Sequence, residues 1–68
     1  MDNRIKELRK FKKLSQEALA IACNVSRQTI NAIENNKYDP SLELAFQLAD
    51  NLEVSVEELF LYKNRGNS

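Results

Sequence analysis

Arg27, Gln28, Asn31, Ala32 and Asn35 fall within an arc of about 140° when the chain is wound as a helix from Ser26, at roughly 100° per residue. Ile30 and Ile33 fall on the other side. The arc holds no carboxylate and is rich in groups that donate and accept hydrogen bonds. Such side chains match the edges of base pairs. Arg27 can bond the two acceptors of guanine, Gln28 the donor and acceptor of adenine, and Ala32 the methyl of thymine. Asn31 reaches the same face one turn later. A solvated helix face would use similar residues, but this one follows an Asn-containing turn and lacks acid, which favours nucleic-acid readout.

Catalytic chemistry has no comparable set. The 68 residues include no His, one Cys and one Gly. The commonest general base is therefore missing, as are a zinc site of ordinary spacing and a Gly-rich phosphate loop. Glu57 and Glu58 are neighbours on a predicted helix and diverge, so they cannot face each other as an acid–base pair. The chain reads as a non-enzyme without a cofactor.

The reading face must be held by a small scaffold. The length allows one domain, and the composition (rich in Leu, Ala, Glu, Lys and Ile, with a single Pro) favours helix. Five short helices read out. The first runs through "NRIKELRKFKK", with Ile5, Leu8 and Phe11 on one stripe and Asn3 placed to cap it. Ser15, Ser26, Ser41 and Ser55 stand immediately before the other four, and Ser55 with Glu58 forms a capping box. Only Cys23, Asn24 and Val25 separate the second helix from the third. Asn24 and Asn36 are the non-glycine residues best suited to the left-handed backbone that such turns need. Two short helices so joined make a helix-turn-helix.

These spacings predict a core of Leu8, Leu14, Leu19, Ala20, Cys23, Val25, Ile30 and Ile33. Leu42, Ala45, Leu48, Ala49, Leu52, Val54, Val56 and Leu59 close it from the other side. Arg9 on the inner side of the first helix and Glu34 on the third are expected to pair and brace the reading helix. The backbone at the start of the second helix, with Gln16, and the positions Ser26, Thr29, Asn35, Lys37 and Tyr38 are expected to meet phosphates.

The net charge of zero averages two unlike halves. Residues 1–40 carry eight Lys and Arg against five Asp and Glu, giving +3, and residues 41–68 carry two against five, giving −3. The distribution decides what a polyanion meets. The basic half contains the reading face. A lone cysteine and the lack of any long apolar run or signal-peptide core predict a protein of the cytoplasm, away from membranes.

The stretch "LSQEALAIACNVSRQTINAIENNKYDPSLELAFQLADNLEVSVEELF" resembles the lambda-repressor-like, Cro/xenobiotic-response-element family of helix-turn-helix regulators. The likeness runs through Gln16, Leu19, Ala20, Val25, Ser26, Ile30 and Glu34, then Pro40, Leu52, Val54, Leu59 and Phe60. It is nearest to short stand-alone repressors of the cytolysin-repressor kind. The resemblance implies an all-α, five-helix fold with the third helix in the major groove, and it leaves room for a short extended C-terminal segment. It also implies a dimer on a palindromic operator in double-stranded DNA, usually repression, a bracing Arg9–Glu34 pair, and phosphate contacts from Gln16 and Lys37. Asn24 and Asn36 stand where glycine is common, and Cys23 takes an apolar position in the turn. Asp39 puts negative charge on the loop expected to face a phosphate, unless it forms a turn around Pro40.

One such head reads few base pairs, so two are expected, about 34–36 Å apart. Leu44 and Phe46 lie at opposite margins of the fourth helix's core stripe, where at least one should stay exposed. Together with Leu61 and Tyr62 they are the expected homodimer surface. Residues 1–62 then form the domain and residues 63–68 a flexible polar tail. No small-molecule ligand is expected. The alternative is a protein-interaction module such as an antitoxin, which would tolerate loss of Arg27 and Gln28.

Overall fold

The computed structural model describes residues 1–61. Tyr62 and the predicted tail 63–68 lie outside that range. Five helices follow in order: α1 (Ile5–Phe11), α2 (Gln16–Ala22), α3 (Arg27–Glu34), α4 (Leu42–Leu52) and α5 (Val56–Leu59). Among the described residues there is no strand. The short extended segment is a single antiparallel bridge between Asn3 and Phe60.

Each helix after the first starts as its serine predicts. The hydroxyls of Ser15, Ser26, Ser41 and Ser55 accept from the backbone N–H groups of Ala18, Thr29, Leu44 and Glu58. Glu58 returns the favour by accepting from Ser55 N–H at 2.8 Å, which completes the capping box. The first helix differs from the expectation: its N-cap position is Arg4, which makes no side-chain cap bond, and Asn3 stands one residue earlier, its Oδ1 accepting from Ile5 N–H at 3.1 Å.

The helix ends are equally uniform. α1 to α4 are each followed by a left-handed residue: Lys13, Asn24, Asn36 and Glu53, with φ of 59–61°. After α3, Lys37 N–H bonds Ala32 O at 2.9 Å and Asn36 N–H bonds Ile33 O at 3.1 Å, which satisfies carbonyls left open by the last turn. The same pattern recurs after α1, where Leu14 N–H reaches Arg9 O, after α2, where Val25 N–H reaches Ala20 O, and after α4, where Val54 N–H reaches Ala49 O. Left-handed Asn24 and Asn36 match the sequence reading. Lys13 and Glu53 were not foreseen, because neither residue type signals that conformation.

The core forms around Ile5, Leu19, Ile30, Ile33, Leu48, Leu52 and Leu59, all essentially inaccessible, with Leu8, Leu14, Val25, Val54 and Val56 packed partly buried around it. Three expectations are corrected. Phe11 is 84% exposed. It lies about 120° around the helix from Ile5, and the inward positions of later turns go to Leu8 and Arg9. On α4, Leu44 is buried and Leu42 is 71% exposed, the reverse of the expected assignment. The buried stripe runs through Leu44, Ala45, Leu48, Ala49 and Leu52, and Leu42 points about 90° from its mean direction. Leu44 therefore cannot belong to an exposed docking surface.

The first residues and the segment just after α5 close the bundle. Arg4 N–H donates to Leu59 O at 2.9 Å and Leu61 N–H to Asp2 O at 2.8 Å, so the first residues lie beside the segment after α5. No helix among the described residues is long and apolar enough to cross a membrane.

Candidate nucleic-acid interface

α2 packs more extensively on α3 than any other two helices pack on each other. The turn between them owes its tightness to Asn24 at φ 59°. Val25 follows it and packs onto the core, so α3 is anchored from its first turn. Ile30 and Ile33 face inward. Arg27, Gln28 and Asn31 are exposed and, with Ser26, line one shallow hollow. Three of the four expected base-reading residues thus share a surface. Ala32 is half-buried beside them.

Asn31 is held by its neighbour. Asn35 Nδ2 donates to Asn31 O at 2.9 Å and to Asn31 Oδ1 at 3.2 Å. With Oδ1 so engaged, the Asn31 amide hydrogens remain free to donate outward. This orienting role was not part of the sequence reading, which gave Asn35 to a phosphate.

The other expected phosphate contacts divide into two groups. Lys37 and Tyr38 are exposed on the loop after α3, and Ser26 is exposed at its start. Thr29 lies about 160° around α3 from Arg27. It is half-buried, its hydroxyl lies 3.0 Å from Ser26 Oγ, and it borders a polar hollow with Asn24, Tyr38, Ser41 and Gln47. Gln16 is also half-buried, and its Nε2 donates to Glu34 Oε1 at 3.0 Å. Its carbonyl oxygen and second amide hydrogen are what it can still offer to a ligand.

Behind this surface Arg9 grips Glu34. Arg9 Nε donates to Glu34 Oε2 at 2.7 Å and Nη2 to Oε1 at 3.2 Å, while Nη1 caps the chain at Leu14 O, 2.9 Å away. Both side chains are withdrawn from solvent. A two-pronged guanidinium–carboxylate contact fixes orientation as well as distance. It ties α1 to the last turn of α3 and turns the carboxylate of α3 away from the outer face.

Asp39 has a partner as well, the Met1 ammonium at 2.8 Å. The negative charge on the loop is thereby compensated locally, a contact that turn propensity around Pro40 gave no means to foresee. Asn3 was likewise read only as a cap for α1. Its Nδ2 reaches Ile33 O at 2.9 Å, across 30 residues of sequence. No group of three or more His, Cys, Asp or Glu among the described residues is placed to hold a metal ion.

A family model described as helix-turn-helix matches residues 5–59, which span all five helices. The chain belongs to the helix-turn-helix family. Within it, the chain is of the lambda-repressor-like, xenobiotic-response-element type, a DNA-binding transcriptional regulator and not an enzyme. An uncharacterised HTH-type transcriptional regulator of Methanocaldococcus jannaschii is 50% identical over 64 residues, covering 94% of this chain and 97% of that one. The restriction-modification controller protein C.AhdI of Aeromonas hydrophila superposes with a TM-score of 0.78 at 37% identity, over 84% of this chain and 86% of the other. The N-terminal DNA-binding domain of SinR from Bacillus subtilis gives a TM-score of 0.78 at 33% identity, over 91% of each. In these three comparisons the likeness covers 84–94% of this helix-turn-helix regulator.

Proposed function

We propose that this regulator is a homodimeric repressor that reads a palindromic operator by laying α3 in the major groove. The observation that carries this reading is the acid-free outer face of α3, where Arg27, Gln28 and Asn31 are exposed side by side over a buried Ile30–Ile33 face. Arg27 pairs with guanine, Gln28 with adenine, Asn31 donates to a base acceptor, and Ala32 meets a thymine methyl. Ser26, Asn35, Lys37 and Tyr38, all exposed, set the head on the phosphates, with half-buried Gln16 and Thr29 at the margin of the contact.

Two heads are needed for a specific site. Phe46, 57% exposed on α4, and Leu61, 45% exposed after α5, lie on the acidic half of the chain and form the dimer surface, joined by Leu42 one turn before Phe46. Pairing through that half leaves the basic half for DNA. A dimer seated on an operator that overlaps a promoter excludes other proteins from it, so repression needs no further contact.

The test is fluorescence anisotropy with a duplex from the gene's own upstream region and a scrambled duplex, over a salt series. Tight binding to the first alone, weakening steeply with salt, supports the proposal. Arg27→Ala and Gln28→Ala should each cost about 1–3 kcal/mol in operator affinity. Equal, weak binding to both duplexes, or a monomeric sedimentation mass at micromolar concentration, overturns it.

A further inference from the structure

We propose that Asn3 is a positioning residue for operator binding. Its carboxamide ties the phosphate-facing end of α3 to the segment after α5. The inference rests on the DNA-reading role given to α3 above.

Satisfying the first N–H of α1 needs only an acceptor, and Asn3 Oδ1, one residue before the Arg4 N-cap, supplies it to Ile5 N–H at 3.1 Å. The other end of the side chain does something that this contact does not require. Nδ2 donates to Ile33 O at 2.9 Å in the last turn of α3, and it also approaches Asn36 Oδ1 at 3.4 Å. Asn36 Nδ2 in turn donates to Asp2 Oδ1 at 3.0 Å. Asn36 is the left-handed residue, φ 61°, from which the chain turns out to Lys37 and Tyr38. Two consecutive N-terminal side chains therefore hold the residue that aims this loop.

The backbone of the same residues is fixed from the other side. Asn3 bridges Phe60, and the flanking bonds Arg4 N–H to Leu59 O and Leu61 N–H to Asp2 O complete the contact. Phe60 is buried and Leu61 is exposed on the proposed dimer surface. Asn3 thus lies between the surface that meets a second copy and the loop that meets phosphate. A displacement of the segment after α5 reaches the last turn of α3 through the Asn3 amide, and Asp2 carries part of it to Asn36. Directed contacts of this kind matter for binding because a phosphate contact misplaced by a small distance is lost.

The experiment compares the full chain with Asn3→Ser and Asn36→Gly. Serine keeps an acceptor for Ile5 N–H but is too short to reach Ile33 O. Glycine keeps the left-handed backbone of residue 36 and removes its side-chain links to Asp2 and Asn3. Circular dichroism and urea unfolding establish that each variant is folded. Operator affinity is then measured against salt, with the scrambled duplex as reference. Both variants should bind the operator about 5–10-fold more weakly. The slope of log K against log salt should become shallower by about 0.9, the contribution of one phosphate. The ratio of operator to scrambled affinity should fall far less than in Arg27→Ala, whose loss lies in base reading. If Asn3→Ser is unfolded, Asn3→Thr takes its place, since threonine also keeps an acceptor for Ile5 N–H, is too short to reach Ile33 O, and suits the extended backbone of this position. Wild-type affinity and slope in a folded variant overturn the positioning role. Failure of the unaltered protein to prefer the operator overturns the DNA-reading proposal itself, and with it this one.

Discussion

Arg9 and Glu34 are joined by two hydrogen bonds, of 2.7 and 3.2 Å, that link the first helix to the end of the third through the interior. Gln16 adds a third bond to the same carboxylate. Glu34 is therefore the point where α1, α2 and α3 meet, and it is withdrawn from the surface proposed to read DNA.

Removing one partner leaves the other charged and buried. Glu34→Ala should destabilise the protein by about 3–5 kcal/mol, a large share of the stability of so small a domain. Urea unfolding checks this, and operator binding should be lost in proportion to the unfolded fraction. The paired replacement Arg9→Met with Glu34→Leu should recover most of the stability, since no charge remains unpaired. A double variant as unstable as the single one would sink the account.

Lys13 adopts φ 60° with an exposed side chain. A left-handed non-glycine residue carries a penalty of about 1–2 kcal/mol, partly offset when glycine is introduced by the greater entropy of the unfolded chain. Lys13→Gly should raise stability by about 0.5–1 kcal/mol and the melting temperature by several degrees. Thermal unfolding with no change, or a decrease, would contradict it.

Two exposed carboxylates give the stability an acid-side dependence. The hydrogen bond from Ser55 N–H holds Glu58 below its ordinary 4.5, and the hydrogen bond and charge of Lys12 do the same for Glu53. Groups with depressed values in the folded state bind protons more readily when unfolded. Their contribution is complete above about pH 5 and disappears as pH falls through the folded values below 4.5. Melting temperatures from pH 7 to pH 3 should be level and then fall. Glu58→Gln should show a smaller fall, because the amide oxygen still caps Ser55 N–H and no longer titrates.

Cys23 is buried in the helix-turn-helix turn, and burial pushes its thiol above the ordinary 9.0, against a smaller opposing pull from the Asn51 amide 3.7 Å away. A disulfide reagent at pH 8 should modify it slowly in the folded protein and rapidly in denaturant. Fast modification of the folded protein would show that the turn opens readily.

The sequence by itself determined what is local. Each serine start depends on an acceptor three residues before a backbone N–H, and each asparagine end on a conformation that residue tolerates alone. The outer face of α3 followed from helical period and the identity of five side chains. The Arg9–Glu34 contact was also within reach, since two oppositely charged residues fell on inward faces.

Only the tertiary structure decided the rest. Lys13 and Glu53 turn left-handed although nothing in their side chains favours it. The chain must reverse at both places to return Leu14 and Val54 to the core, and Lys12 bonds Glu53 at 2.6 Å across 41 residues. Leu44 rather than Leu42 is buried because neighbouring helices choose which edge of an apolar stripe they cover. Gln16 turns to Glu34 across 18 residues, and Asn3 to Ile33 across 30. Periodicity and capping act over three or four residues, whereas these partners become neighbours only when burial of the core brings distant helices together.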